Sequence, residues 1–472
     1  MAARSLRIVL ISEHASPLAQ AGSVDAGGQN IYVAHVAAAL ARRGHEVEVL
    51  TRRDSPELPA VQPMGEGVRV HHLDAGPAQF IPKEQLLPHV RDFELQARAL
   101  LRRLPPCDLV HANFFMSGLA GLQLQRRLGL PLVVTFHALG AVRRLHQAGA
   151  DSFPVERVDL ERQVAHGADR VIAECPQDRQ DLMTHYHLPE RQITEVPCGV
   201  DLHEFRPGDL QAARARLGLS PRDFIVLQLG RLVPRKGIDN VIRALSRLPG
   251  IHNDECPRRA RLLVVGGESE QPDERLTPEI GRLRRLAQSL GVKDRVQFIG
   301  RRSRPELASY YQAADVFVST PWYEPFGITP LESMACARPV IGSAVGGIQH
   351  TVVDGVTGYL VPPMDADTLA AHLDWLRQHP QQAEAMGRAG LGRVRRMFTW
   401  DQVAARLEAV YRRVMAERSQ PVTATAAHGL GLLPAGLGRV PAGAVGMKPL
   451  LPARTPLWSE PASAVAAWGA KA

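Results

Sequence analysis

The chain alternates between short apolar runs and longer stretches in which apolar residues recur every three or four positions. In the first 200 residues, the longer stretches predict helices at 30–43 and 85–104. The apolar runs predict strands at 7–12, 46–51, 68–73, 108–112, 132–137, 170–173 and 193–197. Because these strands are continuously apolar and are flanked by helices, we expect a parallel sheet that is covered on both faces.

The same alternation begins again after Val200 and Asp201. Further strands are predicted at 224–229, 261–265, 295–299, 315–319, 339–341 and 359–361, and helices at 237–248, 278–290 and 304–314. Proline and glycine punctuate residues 198–207, which marks the join between the two series. We therefore predict an α/β protein built from two successive doubly wound, Rossmann-like units.

These patterns divide the chain into four parts. Residues 1–200 are predicted to form an N-terminal Rossmann-like domain, and residues 201–397 a C-terminal one. We expect residues 398–419 to form a C-terminal helix that packs back on the N-terminal domain. Residues 420–472 are rich in Ala, Gly and Pro and have no periodicity, so we predict a disordered tail that buries too little apolar surface to offset its chain entropy.

The composition is that of a globular protein with more than one core, since 45% of its 472 residues are hydrophobic. No run of about 18 apolar residues occurs, so we predict no transmembrane helix. Residues 4–11 could be the start of a signal peptide, but the apolar run covers only 8–11, and a first buried strand is favoured. The five cysteines are scattered without a CxxC pair, which disfavours a disulfide framework or a zinc site and suits the cytoplasm.

The net charge of +8 raises the question of an anionic partner. The basic residues are spread along the chain and aromatic residues make up only 5%, so we expect no nucleic-acid surface. The sequence lacks GxxxxGK[ST], a GxGxxG after the first strand and a GxSxG elbow. A P-loop ATPase, a conventional dinucleotide oxidoreductase and an α/β-hydrolase are therefore disfavoured.

Two segments invite a metal-binding interpretation, and a structural one is favoured for both. His185 and His187 have no neighbouring carboxylate or cysteine cluster, so an exposed helix end explains them better. Asp365 and Asp367 form a DxD pattern directly before a helical stretch, where helix capping is the simpler explanation. We expect no metal site.

Two segments offer groups suited to a phosphorylated ligand. The sequence DAGGQN at residues 25–30 lies between the first strand and a long helix, where glycines allow close backbone approach and the helix N-terminus attracts an anion. The sequence GRLVPRKG at residues 230–237 places Arg231 and Lys236 just after a strand, and two cations there suit a diphosphate. A flexible turn and a pair of solvated cations are the respective alternatives.

Two further segments follow predicted strands, where doubly wound sheets bind their ligands. The sequence PWYEPFGITPLE at residues 321–332 separates Glu324 from Glu332 by seven residues, and carboxylates accept hydrogen bonds from the vicinal hydroxyls of a sugar or a ribose. The sequence FHALG at residues 136–140 places His137 at the end of a strand, where a ligand-binding and a buried structural histidine are equally plausible.

Taken together, these segments resemble glycosyltransferase family 4, whose members have the GT-B fold of two Rossmann-like domains that face each other across a central cleft. The resemblance covers residues 7–418. Glu324 and Glu332 match the family's EX7E motif, Arg231 and Lys236 its donor-diphosphate pair, and Gly28 its glycine loop. By resemblance, the N-terminal domain binds the acceptor and the C-terminal domain the nucleotide-sugar. The resemblance implies catalytic roles for Arg231, Lys236, His137 and Glu324, and donor contacts from Gly27, Gly28, Arg231, Lys236, Glu324, Phe326, Gly327, Ile328 and Glu332.

Within the family, the chain most resembles inositol-phosphate N-acetylglucosaminyltransferases and sucrose-phosphate synthases. The first likeness lies in residues 12–17 and 25–30, and the second in residues 81–84 and 136–140. The resemblance to these two groups implies that Lys83 and Arg157 hold an acceptor phosphate, and that His14 and Asn30 bind the acceptor hydroxyls. The chain has Phe114 and Ala138 where the cyclitol enzymes carry tyrosine and threonine.

The resemblance therefore implies a retaining glycosyltransferase that moves a hexosyl unit from a nucleotide-sugar to a sugar, a cyclitol or a phosphorylated sugar. UDP is the favoured nucleotide, with ADP and GDP open, and no metal or other cofactor is expected. The oligomeric state, including a homodimer, stays open. The alternatives are a nucleotide-sugar epimerase of the same fold, which needs no acceptor, and a non-catalytic nucleotide-sugar-binding protein.

Overall fold

The computed structural model describes residues 4–19, 27–147, 152–252 and 258–419. The predicted tail and the first two residues of the 25–30 motif lie outside these ranges. In the described part of the chain, the strands form two sheets, one from each half of the sequence. The two separate Rossmann-like series predicted from the hydrophobic pattern are confirmed.

The first sheet has the strand order β3-β4-β2-β1-β5-β6-β7-β8. Its strands are β1 (Arg7–Ile11), β2 (Glu46–Arg52), β3 (Val61–Pro63), β4 (Val68–Leu73), β5 (Leu109–Asn113), β6 (Leu132–Thr135), β7 (Arg170–Ala173) and β8 (Ile193–Glu195). All pairings are parallel except that of β3 with β4. The short antiparallel strand β3 was not predicted.

Six helices accompany this sheet in the described residues: α1 (Gly28–Arg42), α2 (Val90–Leu101), α3 (Phe115–Leu128), α4 (Gly140–Gln147), α5 (Arg157–Gly167) and α6 (Pro176–Tyr186). The helix predicted at 85–104 is shorter than expected, because 3-10 turns at Lys83–Gln85 and Leu87–His89 precede α2. Pro88 lacks the amide proton that a continuous helix would need inside it. His187 follows α6 with a φ of 56°, which confirms the predicted helix end.

The second sheet has the order β11-β10-β9-β12-β13-β14 and is parallel throughout. Its strands are β9 (Phe224–Leu229), β10 (Ala260–Val265), β11 (Val296–Gly300), β12 (Val316–Ser319), β13 (Val340–Ser343) and β14 (Gly358–Val361). The helices of this half are α7 (Leu210–Leu217), α8 (Ile238–Ser246), α9 (Pro278–Ser289), α10 (Arg304–Ala313), α11 (Ile328–Ala335), α12 (Ile348–Thr351) and α13 (Ala366–Gln378).

Two long helices, α14 (Pro380–Met397) and α15 (Trp400–Ser419), end the described chain. The last of them lies on the first half, since α15 packs against α1. Its Glu408 binds Arg43, with 2.8 Å between Oε2 and Nε, and its Tyr411 hydroxyl is 2.7 Å from Nδ1 of the buried His111. Through these contacts, the last described helix packs on the half of the protein that contains the first sheet.

The apolar pattern explains why the strands form where they do. Every residue of β9 is buried, as is every residue of β5, β6 and β12, so these strands have helices on both faces. The helices bury one stripe each, as α8 does with Val241, Ile242 and Leu245. Among the described helices, none is both long enough and apolar enough to cross a membrane.

Candidate active site

Two loops at the carboxyl ends of the neighbouring strands β9 and β12 build the centre of the site. Gly237, between β9 and α8, has a φ of 65°, and a Cβ at this residue would lie 2.0 Å from the Thr320 carbonyl oxygen. The Thr320 hydroxyl in turn donates to the Gly237 carbonyl at 3.0 Å. Glycine is therefore required for the loop that carries Lys236 to meet the loop that carries Glu324.

Lys236 and Glu324 are in direct contact, because Lys236 Nζ donates to Glu324 Oε2. Burial lowers the pKa of Lys236, and the attraction of Glu324 offsets part of this effect. Burial also acts to raise the pKa of Glu324, but Lys236 and Arg235 outweigh it and hold that pKa below its ordinary value. Glu324 is therefore ionised at neutral pH, and it lies against Lys236 inside a site that is largely shielded from water.

The loop after β13 supports Glu324 from behind. Gly346 has a φ of 45°, and a Cβ there would lie 1.8 Å from the Glu324 carbonyl oxygen. The neighbouring Gly347 amide donates to the same carbonyl at 3.3 Å. The paired glycines thus let the backbone of this loop press against the glutamate and fix its position.

Arg231 and Arg235 add positive charge beside this pair. Arg235 Nη1 lies 3.8 Å from Glu324 Oε2, and its guanidinium lies 5.2 Å from the ring centroid of Tyr323. Arg231 is exposed, and its side chain makes no ion pair within the described ranges. Its charge contributes to lowering the pKa of Lys236. An exposed cation next to a buried one suits an anionic ligand that enters from the cleft.

The glycine loop of the first half approaches this centre from the opposite side. A Cβ at Gly28 would lie 3.6 Å from Ile328 Cδ1, at the start of α11. The Gly27 amide donates to Asn30 Oδ1 at 2.9 Å, and Asn30 Nδ2 donates to the Ser16 carbonyl at 2.9 Å. Asn30 thus uses its amide group to shape the loop. Its predicted contact with an acceptor stays a prediction.

Phe326, Gly327 and Ile328 form the turn that leads into α11. Gly327 has a φ of 84°, Phe326 is buried, and the helix begins at Ile328. The first amides of a helix have no partner within it and favour an anion. The turn therefore places the first backbone amides of α11 at the side of the cleft where Gly28 lies.

His137 lies at the carboxyl end of β6 in a left-handed conformation, with a φ of 60°. This conformation ends β6 two residues before the predicted end of the strand. Its Nδ1 is 3.1 Å from Glu174 Oε1, and its Nε2 is 3.0 Å from Asn113 Oδ1. The edge of its ring meets Tyr32 at 4.7 Å between centroids. Such a constrained histidine on a strained backbone is typical of a functional position.

Glu174 is the buried acid that fixes His137. Burial acts to raise the pKa of Glu174, but His137 and a hydrogen bond from Cys198 Sγ at 3.0 Å outweigh it and lower that pKa. Cys175, the next residue, donates from Sγ to the Pro325 carbonyl at 3.4 Å, beside Glu324. The two halves of the protein therefore touch at this point of the site.

A cavity of about 280 Å³ opens next to these groups. It is lined from the first half by residues of α4 and α6, and from the second half by the loops that contain Glu324 and Gly346. Tyr323 lines the cavity, and its ring is stacked on that of His146 with 4.9 Å between the centroids. The cavity is the hollow between the two halves that the predicted architecture requires.

Glu332 is not in contact with Glu324. It is 2% exposed, and its carboxylate binds Arg304 Nη1 at 3.1 Å and the Tyr311 hydroxyl at 2.8 Å. The two glutamates of the EX7E motif therefore occupy different surroundings. Glu324 faces the cations, and Glu332 lies deeper, in α11.

The predicted acceptor residues lie in the first half. His14 Nδ1 is 2.8 Å from Glu13 Oε1, and its ring meets Phe114 at 4.8 Å between centroids. Arg157 also lies against Phe114, with its guanidinium 5.0 Å from the ring centroid. Lys83 opens the 3-10 turn before α2 and is half-buried.

Only 1% of Arg157 is exposed, so it is more buried than we would expect of a residue that binds a phosphate group. Its Nε donates to Glu161 at 2.7 Å and its Nη2 to the Ala138 carbonyl at 2.6 Å. Among the residues that the structure describes, its buried Nη1 has no hydrogen-bond partner. A buried donor without a partner is costly, so this nitrogen is suited to donate to a ligand oxygen.

Sequence reasoning missed the residues that support the site. Gln29 Nε2 donates to Ser12 Oγ at 3.0 Å and to the Asn113 carbonyl at 3.2 Å, which fastens the glycine loop to β5. Asn113 and Glu174 hold His137. Each of the latter two comes directly after a predicted strand, and that position was the signal that could have found them.

One group of three potential metal ligands occurs within the described ranges, formed by His35, Asp201 and Glu204. Arg304 Nε lies 2.6 Å from Glu204 Oε2, so a guanidinium already neutralises one of the acids. Asp365 accepts the amides of Asp367 and Thr368 at 3.1 and 2.9 Å, which confirms the predicted helix cap. A metal-independent reaction stays a prediction.

Family models match both halves of the chain. The model "Glycosyltransferase Family 4" matches residues 26–204, and "Glycosyl transferases group 1" matches residues 209–393. A D-inositol 3-phosphate glycosyltransferase of Mycolicibacterium paratuberculosis is 40% identical over 419 residues, which cover 87% of this chain and 91% of the relative. One of Actinosynnema mirum is 39% identical over 86% of this chain and 96% of the relative.

Solved structures agree with these relatives. The sucrose-phosphate synthase of Thermosynechococcus elongatus is 36% identical, with a TM-score of 0.78 over 88% of this chain and all of that chain. HepE of Anabaena, solved with UDP and glucose, has a TM-score of 0.67 at 20% identity over 86% of this chain and all of that one, and supports the fold alone. Two parallel sheets with a cleft between them define the GT-B class of glycosyltransferases. The chain belongs to glycosyltransferase family 4 within that class.

Proposed function

We propose that this glycosyltransferase moves a hexosyl unit from a nucleotide-sugar to a hydroxyl of a sugar, cyclitol or phosphorylated sugar, with retention of anomeric configuration. The observation that carries the proposal is the contact of Lys236 Nζ with the Glu324 carboxylate, opposite Gly28. A cation beside a carboxylate can bind both parts of a sugar diphosphate, the phosphate groups and the sugar. The cation binds the phosphate, and the carboxylate accepts hydrogen bonds from sugar hydroxyls.

Breaking the bond between the sugar and the diphosphate leaves negative charge on the departing phosphate. Lys236, Arg231 and the backbone amides at the start of α11 are the groups that stabilise this charge. One preorganised contact of this kind is worth about 3–4 kcal/mol in the transition state. Because these groups already supply positive charge, we propose that the reaction needs no metal.

Retention follows if the acceptor attacks from the face that the diphosphate leaves. The departing phosphate oxygen then takes the proton of the acceptor hydroxyl as the new glycosidic bond forms. No side-chain base is required in this scheme. The constrained His137 is assigned to the donor sugar, which it would orient from the N-terminal half.

We propose a phosphorylated acceptor, because the names of the relatives refer to inositol 3-phosphate and to sucrose phosphate. The unpartnered Nη1 of Arg157 is the group best suited to an additional phosphate oxygen. UDP is the proposed nucleotide. Lys83 and His14 are assigned to the same acceptor, on the basis of the family resemblance.

The test is a screen of donors against acceptors with the full-length protein. UDP-, ADP- and GDP-glucose and UDP-N-acetylglucosamine are each incubated with inositol phosphate and fructose 6-phosphate. Inositol and fructose serve as matched controls without phosphate. We expect transfer to a phosphorylated acceptor, with retained configuration in the NMR spectrum of the product. An inverted product would refute the mechanism, and equal transfer to the controls would refute the acceptor class.

A further inference from the structure

The second glutamate of the EX7E motif has an unusual environment. Glu332 is 2% exposed, yet each of its carboxylate oxygens has a partner. Arg304 Nη1 donates to Oε1 at 3.1 Å, and the Tyr311 hydroxyl donates to Oε2 at 2.8 Å. A buried carboxylate without such partners would be strongly destabilising.

Arg304 is held between two acids. Its Nε donates to Glu204 Oε2 at 2.6 Å, in the segment that joins the two halves. Its guanidinium lies 5.0 Å from the ring centroid of Phe205, which itself meets Tyr311 edge-on at 5.7 Å. Both acids counteract the effect of burial and raise the pKa of Arg304, so it stays charged. The planar fork of arginine allows both contacts at once, which an ammonium group cannot reproduce.

The hydrogen bonds leave part of the Glu332 carboxylate unused. A carboxylate has about four lone-pair sites, two on each oxygen. Arg304 and Tyr311 use one site on each oxygen, so one site per oxygen remains. Two adjacent acceptor sites of this kind match a pair of vicinal hydroxyls.

We propose that Arg304, assisted by Tyr311, is a positioning residue that holds Glu332 so that its remaining lone pairs accept the 2′- and 3′-hydroxyls of the donor ribose. The inference rests on the proposed function and adds a residue outside the motif. Arg304 touches no substrate in this scheme. Its bond to Glu204 fixes the same guanidinium to the segment between the halves, so Glu332 is connected through Arg304 to that segment.

The test measures nucleotide binding by calorimetry and needs no acceptor. The full-length protein is titrated with UDP, ADP and GDP, and with the 2′,3′-dideoxy form of each nucleotide that binds. The wild type should prefer the ribose form by at least about tenfold, since a hydrogen bond to a charged group is worth about that factor. In Arg304→Gln, this preference should fall below threefold because the ribose form alone binds more weakly.

Arg302→Gln is the matched control, because Arg302 precedes Arg304 by two residues and binds the Tyr310 hydroxyl at 3.1 Å instead. It should keep the wild-type preference. Tyr311→Phe removes one of the two contacts and should lose part of the preference, which serves as the test if Arg304→Gln does not fold. Arg304→Lys should not restore the preference fully, because its single ammonium group cannot bind both acids.

Four results would overturn the inference. Equal weakening of both nucleotide forms in Arg304→Gln would mean a structural role, and an unchanged preference would mean no role. A wild type that binds nucleotides without preferring ribose would defeat the inference while leaving the proposed function intact. A wild type that binds none of the three nucleotides would defeat both.

Discussion

Burial and neighbouring charge set the ionisation state of each acid near the cleft. Glu324 and Glu174 have lowered pKa values because cations or His137 outweigh burial. Asp178 has no cationic partner among the residues that the structure describes. Burial and the nearby Glu174 raise its pKa to about 8, although it accepts the Glu174 amide at 2.9 Å. At neutral pH, the cleft therefore contains ionised and neutral carboxyl groups side by side.

Asp178→Asn should stabilise the protein at high pH. The folded pKa of about 8 lies above the usual unfolded value, so ionisation costs stability as pH rises from about 4 to 8. Asparagine keeps an acceptor oxygen and does not ionise. We expect equal stability at pH 4 and a gain in the variant that grows as the pH rises to 8. Thermal unfolding across this range checks the prediction, and a constant difference would contradict it.

Glu48→Gln should have the opposite pH dependence. Glu48 is fully buried, and His71 and Arg69 outweigh its burial and lower its pKa to about 2. Its stabilising effect is present above the unfolded pKa of about 4.3 and is lost as pH falls through 2. We expect a loss of about 3 kcal/mol at pH 7 that shrinks between pH 4.5 and 2.

Glu46→Gln is the control for this prediction. Glu46 binds Arg7 at 2.5 Å and lies 3.7 Å from Arg69, but its side chain is 49% exposed. A solvated pair contributes little, so this variant should change stability by less than about 1 kcal/mol. Urea unfolding of both variants measures the two changes in the free energy of unfolding. Similar losses in the two would show that burial is not the cause.

At the scale of the elements, glycines decide how closely the loops of the site approach. Gly237 lets the loop after β9 meet the loop after β12, and Gly346 lets the loop after β13 press on Glu324. Lys236 and Glu324 each lie on one of these loops. The geometry of the ion pair therefore depends on close backbone contacts that leave no room for a Cβ atom at either glycine.

Gly346→Ala should impair activity by displacing Glu324. The added Cβ would lie 1.8 Å from the Glu324 carbonyl oxygen, so the loop must move. We expect transfer to fall by at least about tenfold, because catalysis is sensitive to displacements of about 1 Å. Gly355→Ala is the matched control, since Gly355 also has a positive φ of 70° but has nothing within 4 Å of the added atom. Equal activity in the two variants would contradict the account.

Prediction from the sequence succeeded where a signal was local. The continuous apolar strands and the capping Asp365 are of this kind. Strand β3 was missed because it is three residues long and largely exposed, which leaves no apolar run. The partners of Glu332 could not be predicted, because Arg304 is 28 residues away in sequence and its side chain is placed by the fold. Motifs identify which residues act, and tertiary contacts decide what each one binds.

At the scale of the whole molecule, the last described helix packs against the first half of the protein. Helix α15 packs on α1, the helix that starts in the glycine loop. Its Val403, Leu407, Tyr411 and Val414 are buried. The position of the glycine loop therefore depends on a helix that follows the complete second half in sequence.

Two truncations test this dependence. A chain that ends at Gln420 should keep its stability and activity. A chain that ends at Thr399 loses the buried face of α15, and each such side chain is worth about 1.5–3 kcal/mol. Since total stability is about 5–15 kcal/mol, we expect the shorter chain not to fold. Circular dichroism with heating checks both, and a folded shorter chain or an inactive longer one would be contrary to expectation.

The central claim is that Lys236 and Glu324 act on the diphosphate-linked sugar. The most direct measurement is the rate of transfer by Lys236→Ala, with Lys293→Ala, a replacement of an exposed lysine, as control. Both should fold, but Lys236→Ala should unfold at a lower temperature than the control, because Glu324 loses its charge partner. We expect Lys236→Ala to lose at least about 100-fold in kcat and the control to match the wild type. A folded Lys236→Ala variant with near-normal turnover would contradict the account.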